Sequence, residues 1–128
     1  MTAEVTKGIK VSVETFYQDA QSDPTKSQYF FAYRVTIENF SGETVQLLRR
    51  HWHIFDSNGS KSEVEGEGVI GKQPVLGPGE IHQYISGCNL TTEIGRMWGT
   101  YLMENKSTRK RFNVNIPEFV MIAPFKLN

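Results

Sequence analysis

The sequence holds a single cysteine, Cys88, in 128 residues. That excludes an internal disulfide framework and any Cys-x-x-Cys metal or redox centre. No sign of charge is in excess, since 14 Lys and Arg balance 14 Asp and Glu. No net field therefore draws the chain toward nucleic acid or an anionic membrane. The basic stretches Arg49-Arg50 and Arg109-Lys110-Arg111 sit in strand-like sequence, where alternation sends neighbouring side chains to opposite faces. No window approaches the roughly 18 apolar residues of a membrane-spanning helix. Met1-Thr2-Ala3-Glu4 is not a basic segment leading into an apolar run. The expectation is a cytoplasmic protein with no nucleic-acid and no membrane partner. Asn-x-Ser/Thr triplets begin at Asn39, Asn58, Asn89 and Asn105, and without an export signal they read as turns.

Helical periodicity is also missing: no window sustains it over ten to twelve residues. What is present is period-two alternation. Ile9, Val11 and Val13 share one face of a strand over residues 9–17, with Lys10, Ser12 and Glu14 on the other. Residues 18–26 carry Ser22-Asp23-Pro24 and form a loop. Over residues 28–40, Phe31, Tyr33, Val35 and Ile37 alternate with Arg34, Thr36 and Glu38. Residues 44–56 form the next strand, with Leu48, Trp52 and Ile54 assigned to the core because they bury the most apolar area. Asp56-Ser57-Asn58-Gly59 supplies a hairpin turn. The glycine-rich acidic stretch that follows gives a short irregular strand, a long loop and a tight turn before a strand over residues 80–87. Three more strands are expected over residues 96–104, 110–116 and 119–123, with Pro117 as a break.

About seven to eight strands separated by polar turns make an all-β antiparallel sandwich, with a closed barrel as the alternative. The mass of 14.6 kDa implies roughly 7,000 Å² of folded surface against roughly 21,000 Å² extended. Residues 1–128 thus form one domain with a real core.

Gly66-Glu67-Gly68-Val69-Ile70-Gly71 satisfies G-x-G-x-x-G literally. The dinucleotide-binding version needs a buried strand before it and a helix after it. Here Glu63, Glu65 and Glu67 crowd the motif and Pro74 follows closely. A loop offering amides to an anion, with Gly66, Glu67, Gly68, Gly71 and Lys72 as its ligand- or partner-binding residues, stands beside a loop that simply needs glycine dihedrals. His51 and His53, two apart on a strand, point the same way and can hold two positions on a transition metal, with His82 or an acidic residue as a third. Cys88 lies about 20 Å along an extended strand from His82, too far for a dyad, and reads as a small core residue. There is no G-x-S-x-G, no H-E-x-x-H and no P-loop. Neither a catalytic residue nor a cofactor is expected. Tyr29, Phe30, Phe40, Phe55 and Tyr84 exceed what one alternating inner face accommodates and point to a groove or sticky face. The run from Phe119 to Phe125 either closes the sheet or pairs with a second copy or a peptide.

The run from Glu65 to Pro74, followed by Leu76-Gly77-Pro78-Gly79-Glu80, resembles the signature stretch of the ApaG domain family. The likeness extends over nearly the whole chain, through residues 33–39, 47–52, 84–88 and 99–101. It implies a fibronectin type III-like sandwich. In bacteria the family is stand-alone, small and cytoplasmic, with a gene name associated with diadenosine tetraphosphate metabolism and cobalt and magnesium tolerance. In eukaryotes a similar domain is fused into F-box and polymerase-interacting proteins. The resemblance carries no catalytic residue set. The function expected is a non-enzymatic protein-protein interaction module with an unidentified protein partner, a homodimer being plausible at the open sheet edges. A metal- or anion-responsive binding protein is the alternative.

Overall fold

The computed structural model describes residues 1–127. Nine strands follow in order: β1 (Thr2–Thr6), β2 (Ile9–Tyr17), β3 (Tyr29–Asn39), β4 (Val45–Asp56), β5 (Lys61–Glu67), β6 (Val75–Leu76), β7 (Ile81–Leu90), β8 (Ile94–Asn105) and β9 (Arg111–Ile122). One sheet has the order β1-β2-β3-β7; the other has β5-β4-β8-β9, with β6 paired to the start of β4. All pairings are antiparallel. The result is an all-β antiparallel sandwich of the fibronectin type III-like kind, and its surface of 7089 Å² agrees with the expectation from mass.

Alternation decides what lies between the sheets. Val11, Val13, Phe31, Val35 and Ile37 face inward from the first sheet, and Met97, Tyr101, Met103, Val114 and Met121 from the second. Each such burial contributes about 1.5–3 kcal/mol. The bounds of β2 coincide with those read from the sequence, and the inward row of β3 is the expected one.

Four readings are corrected. β1 and β6 were not expected, and the two C-terminal strands are one: β9 runs through Pro117, which sits at a register shift opposite Trp98, the bulge position at which a strand tolerates proline. β5 is a regular strand in register with β4 from Lys61 to Glu67, despite its glycine. Leu48 does not belong to the core row of β4. The register against β8 shifts between Leu47 and Arg49, so Leu48 is the extra residue of a β-bulge. Val45 and Leu47 are buried before it, and Trp52 and Asp56 after it. The bulge switches which parity faces inward, and it turns Arg50 toward the space between the sheets.

The two flanks of the sandwich differ. Where β1 meets β9, Asn115 donates its backbone N–H to Thr6 Oγ1 (3.2 Å) and its amide to Glu4 Oε2 (2.9 Å), closing that side. On the other flank the edge strands are β5 of one sheet and β7 of the other. Recesses open between them.

Candidate functional site

Two adjoining recesses of 280 and 250 Å³ lie on the open flank and share Tyr33, Arg50, Trp52 and Ser86. Val64, Cys88 and Met97 extend the first; Ile70, Gly71 and Tyr84 line the second. Arg50 stands between them. Its Nη1 donates to the carbonyls of Glu67 (2.9 Å) and Gly68 (3.0 Å). Among the described residues no carboxylate forms an ion pair with it. A guanidinium held by carbonyls on one side presents its other donors to whatever enters.

Two glycines of the motif lie against close neighbours. A Cβ on Gly66 would stand 2.9 Å from Arg50 Nη1, and one on Gly68 2.1 Å from the Lys72 carbonyl oxygen. Val69 and Lys72 exchange backbone hydrogen bonds in both directions (2.8 and 3.0 Å) around Ile70 (φ 47°) and Gly71 (φ 72°). Positive φ at both central residues defines a type I′ turn, which favours Asn-Gly. The Gly68 amide goes to the Leu48 carbonyl. The amides of Gly68, Val69 and Lys72 are satisfied inside the protein and, among the described residues, no helix opens directly after the motif, while the carbonyls of Glu67 and Gly68 seat Arg50. Lys72 and Glu67 are exposed beside it.

The outer face of β4 holds His51 and His53. The β4–β5 hairpin sets His51 opposite Glu65 and His53 opposite Glu63. His51 Nε2 lies 2.7 Å from Glu63 Oε1 and its Nδ1 3.0 Å from Glu65 Oε1; His53 Nδ1 lies 3.5 Å from Glu63 Oε1. The His53 ring stacks on Trp98 at 5.4 Å and 10°. His82 is on β7 in the other sheet and takes no part. The sequence pairs the two histidines but names no glutamate. The turn at residues 56–60 was the available signal, because the bond from Asp56 N to Ser60 O (2.9 Å) fixes the register of everything behind it.

Among the described residues no histidine or carboxylate is hydrogen-bonded to the Cys88 sulfur. Burial, with the nearby charge of Asp56 adding to it, pushes the Cys88 thiol up to about 11. Its sulfur donates to the Asn89 carbonyl at 3.9 Å, and the residue packs in the core. Burial and the charge of Lys72 hold His82 below the usual histidine range. Burial raises Tyr33, Tyr84 and Tyr101 above the usual phenol range, and the hydroxyls of the last two hydrogen-bond each other. Of the aromatics expected to be exposed, only Phe40 is; Phe30 lies over Gly87, and Phe55 lies under Arg96 and Lys61.

A fibronectin type III-like sandwich with one closed flank and one open, arginine-centred flank is the class of protein these features define. The chain belongs to the ApaG domain family, whose model matches residues 19–105. It is 51% identical over 124 residues to Protein ApaG of Brucella abortus (strain S19), covering 97% of this chain and 95% of that protein. Protein ApaG of Brucella anthropi is 50% identical over the same length, with the same coverage. Among solved structures, an ApaA protein from Bordetella pertussis superposes with a TM-score of 0.88 at 45% identity, covering 91% of this chain and 94% of its own. A protein from Archaeoglobus fulgidus, 12% identical with a TM-score of 0.53, shares the fold alone.

Proposed function

We propose that this ApaG-domain protein is a non-catalytic binding module that takes an extended segment of a partner protein along the open flank, between β5 and β7. The observation that carries the reading is Ile70. It is a β-branched residue held at positive φ, 60% exposed, on the rim of the Arg50 recess. An isoleucine in the left-handed region costs roughly 1–2 kcal/mol, and strain of this kind concentrates at binding sites. Val64, 42% exposed on β5, lines the neighbouring recess. Between these apolar contacts Arg50 offers donors to a carboxylate or a main-chain carbonyl of the incoming segment. β7 has a free edge among the described residues, which supplies the main-chain hydrogen bonds of strand addition. The exposed Ile81 and Ile85 mark its outer face.

The test is photo-crosslinking in cells with a benzophenone amino acid placed at Ile70, at Val64, or at Val120 on the outer face of β9 as the control. The expected result is one protein species captured from both flank positions and absent from the control. Capture of the same species from Val120, or none from the flank, would overturn the proposal.

A further inference from the structure

We infer that the outer face of the β4–β5 hairpin is a binding site for a zinc-class divalent ion, with His51, His53 and Glu63 as ligands and Glu65 as the orienting group. The donor atoms of these three ligands all lie within 4.8 Å of one another. A tetrahedral ion with bonds of 2.0–2.1 Å sets its donors about 3.4 Å apart. The spacings of 2.7 Å from His51 Nε2 to Glu63 and 3.5 Å from His53 Nδ1 to Glu63 bracket that value.

The roles of the two glutamates follow from the His51 ring. Nε2 faces Glu63, so it is the ligand nitrogen; Nδ1 faces Glu65 Oε1 at 3.0 Å, so its N–H donates there. A carboxylate accepting from the far nitrogen of a metal-bound imidazole fixes its tautomer and strengthens it as a ligand. His53 is held by its stack on Trp98, which limits the reorganisation that binding requires. Two imidazoles and one carboxylate suit zinc, nickel or copper and do not suit magnesium, which prefers an all-oxygen shell. Three protein ligands leave a fourth position for water or a donor from another molecule. All four side chains are a third or more exposed, so an ion enters from solvent without opening the core. The site faces away from the Arg50 recess, on the other side of the same strand, and stands independently of the partner-binding proposal.

Isothermal titration of the metal-free protein with zinc chloride tests the assignment, with magnesium chloride run in parallel and a thermal melt as a second readout. One saturable zinc equivalent and a raised Tm are expected for the protein, with no magnesium response. His53→Gln and His51→Gln are expected to abolish both effects, and Glu65→Gln to weaken zinc binding about ten-fold, each variant remaining folded by circular dichroism. His82→Gln is expected to match the parent. Absence of a saturable zinc heat, or equal loss in His82→Gln and His53→Gln, would overturn the inference. Crosslinking from Ile70 in the His53→Gln background separates the two proposals, because partner capture is expected to persist without the metal.

Discussion

Single residues of the glycine segment carry distinct physical demands, and substitutions separate them. Ile70 (φ 47°) and Gly71 (φ 72°) occupy the centre of a type I′ turn. Ile70→Asn restores the preferred Asn-Gly pair and removes a β-branched side chain from left-handed backbone. It is expected to stabilise the fold by about 1 kcal/mol, raising Tm by roughly 4 °C, while weakening partner capture. A melt with unchanged or lowered Tm would contradict the strain argument. Gly68 and Gly71 are not equivalent. A Cβ on Gly71 meets nothing within 4 Å, so Gly71→Ala bears only the dihedral penalty, about 1 kcal/mol. A Cβ on Gly68 would meet the Lys72 carbonyl oxygen at 2.1 Å, adding backbone displacement to a positive φ. Gly68→Ala is therefore expected to cost about 3 kcal/mol or more in urea denaturation, a test of folding rather than of binding.

At the scale of elements, the alternating rows of β2 and β3 were legible because one face of each is buried and side-chain period follows pleat directly. β4 was legible only in part. Leu48 and Trp52 share a parity in sequence, yet the bulge at Leu48 lets Leu47 take the core position and swings Arg50 inward. No local signal marks a bulge, since it serves the register with β8, a strand some fifty residues away. The bulge at Pro117 was hidden in the same way, since it serves the register with Trp98 on the preceding strand. The metal-site residues were half legible for a related reason: His51 and His53 are two apart, whereas Glu63 and Glu65 reach them only through the register set at residues 56–60. That corner depends on Asp56, which is 6% exposed and accepts from Thr91 N (2.6 Å), Thr91 Oγ1 (2.7 Å) and Thr92 Oγ1. Burial alone would raise its carboxyl, but the hydrogen bonds from Thr92, Thr91 and Ser57 outweigh it and hold the group below the usual carboxylate range. A lowered folded value means the stabilisation is complete above about pH 4, where the unfolded group is ionised. It is lost as the pH falls through the folded value. Asp56→Asn is expected to cost about 2 kcal/mol at pH 7, and the gap from the parent to narrow below about pH 4. A gap independent of pH would assign the effect to packing.

Across the whole molecule, the asymmetry of the flanks predicts how the sandwich opens. β3, β4 and β8 each have hydrogen-bonded neighbours on both sides, while β5 has β4 alone and β7 has β3 alone. β5 is nearly all exposed, with only Gly66 half-buried, so its separation from β4 uncovers little apolar surface. β7 buries Cys88 and Leu90 and is tied down at that end. Separation on the other side would uncover buried β9 residues and break the contacts of Asn115 with Thr6 and Glu4. The physics of local opening ranks segments by the burial they give up. Amide hydrogen exchange is therefore expected to be fastest in β5, intermediate in the first half of β7, and slowest in β3 and β8. Saturating zinc is expected to slow β5 selectively, because an ion held by His51, His53 and Glu63 fastens that edge to β4. Slow exchange in β5 without metal would mean the open flank is closed in solution, and the Arg50 recess would then lose its claim to be an entrance.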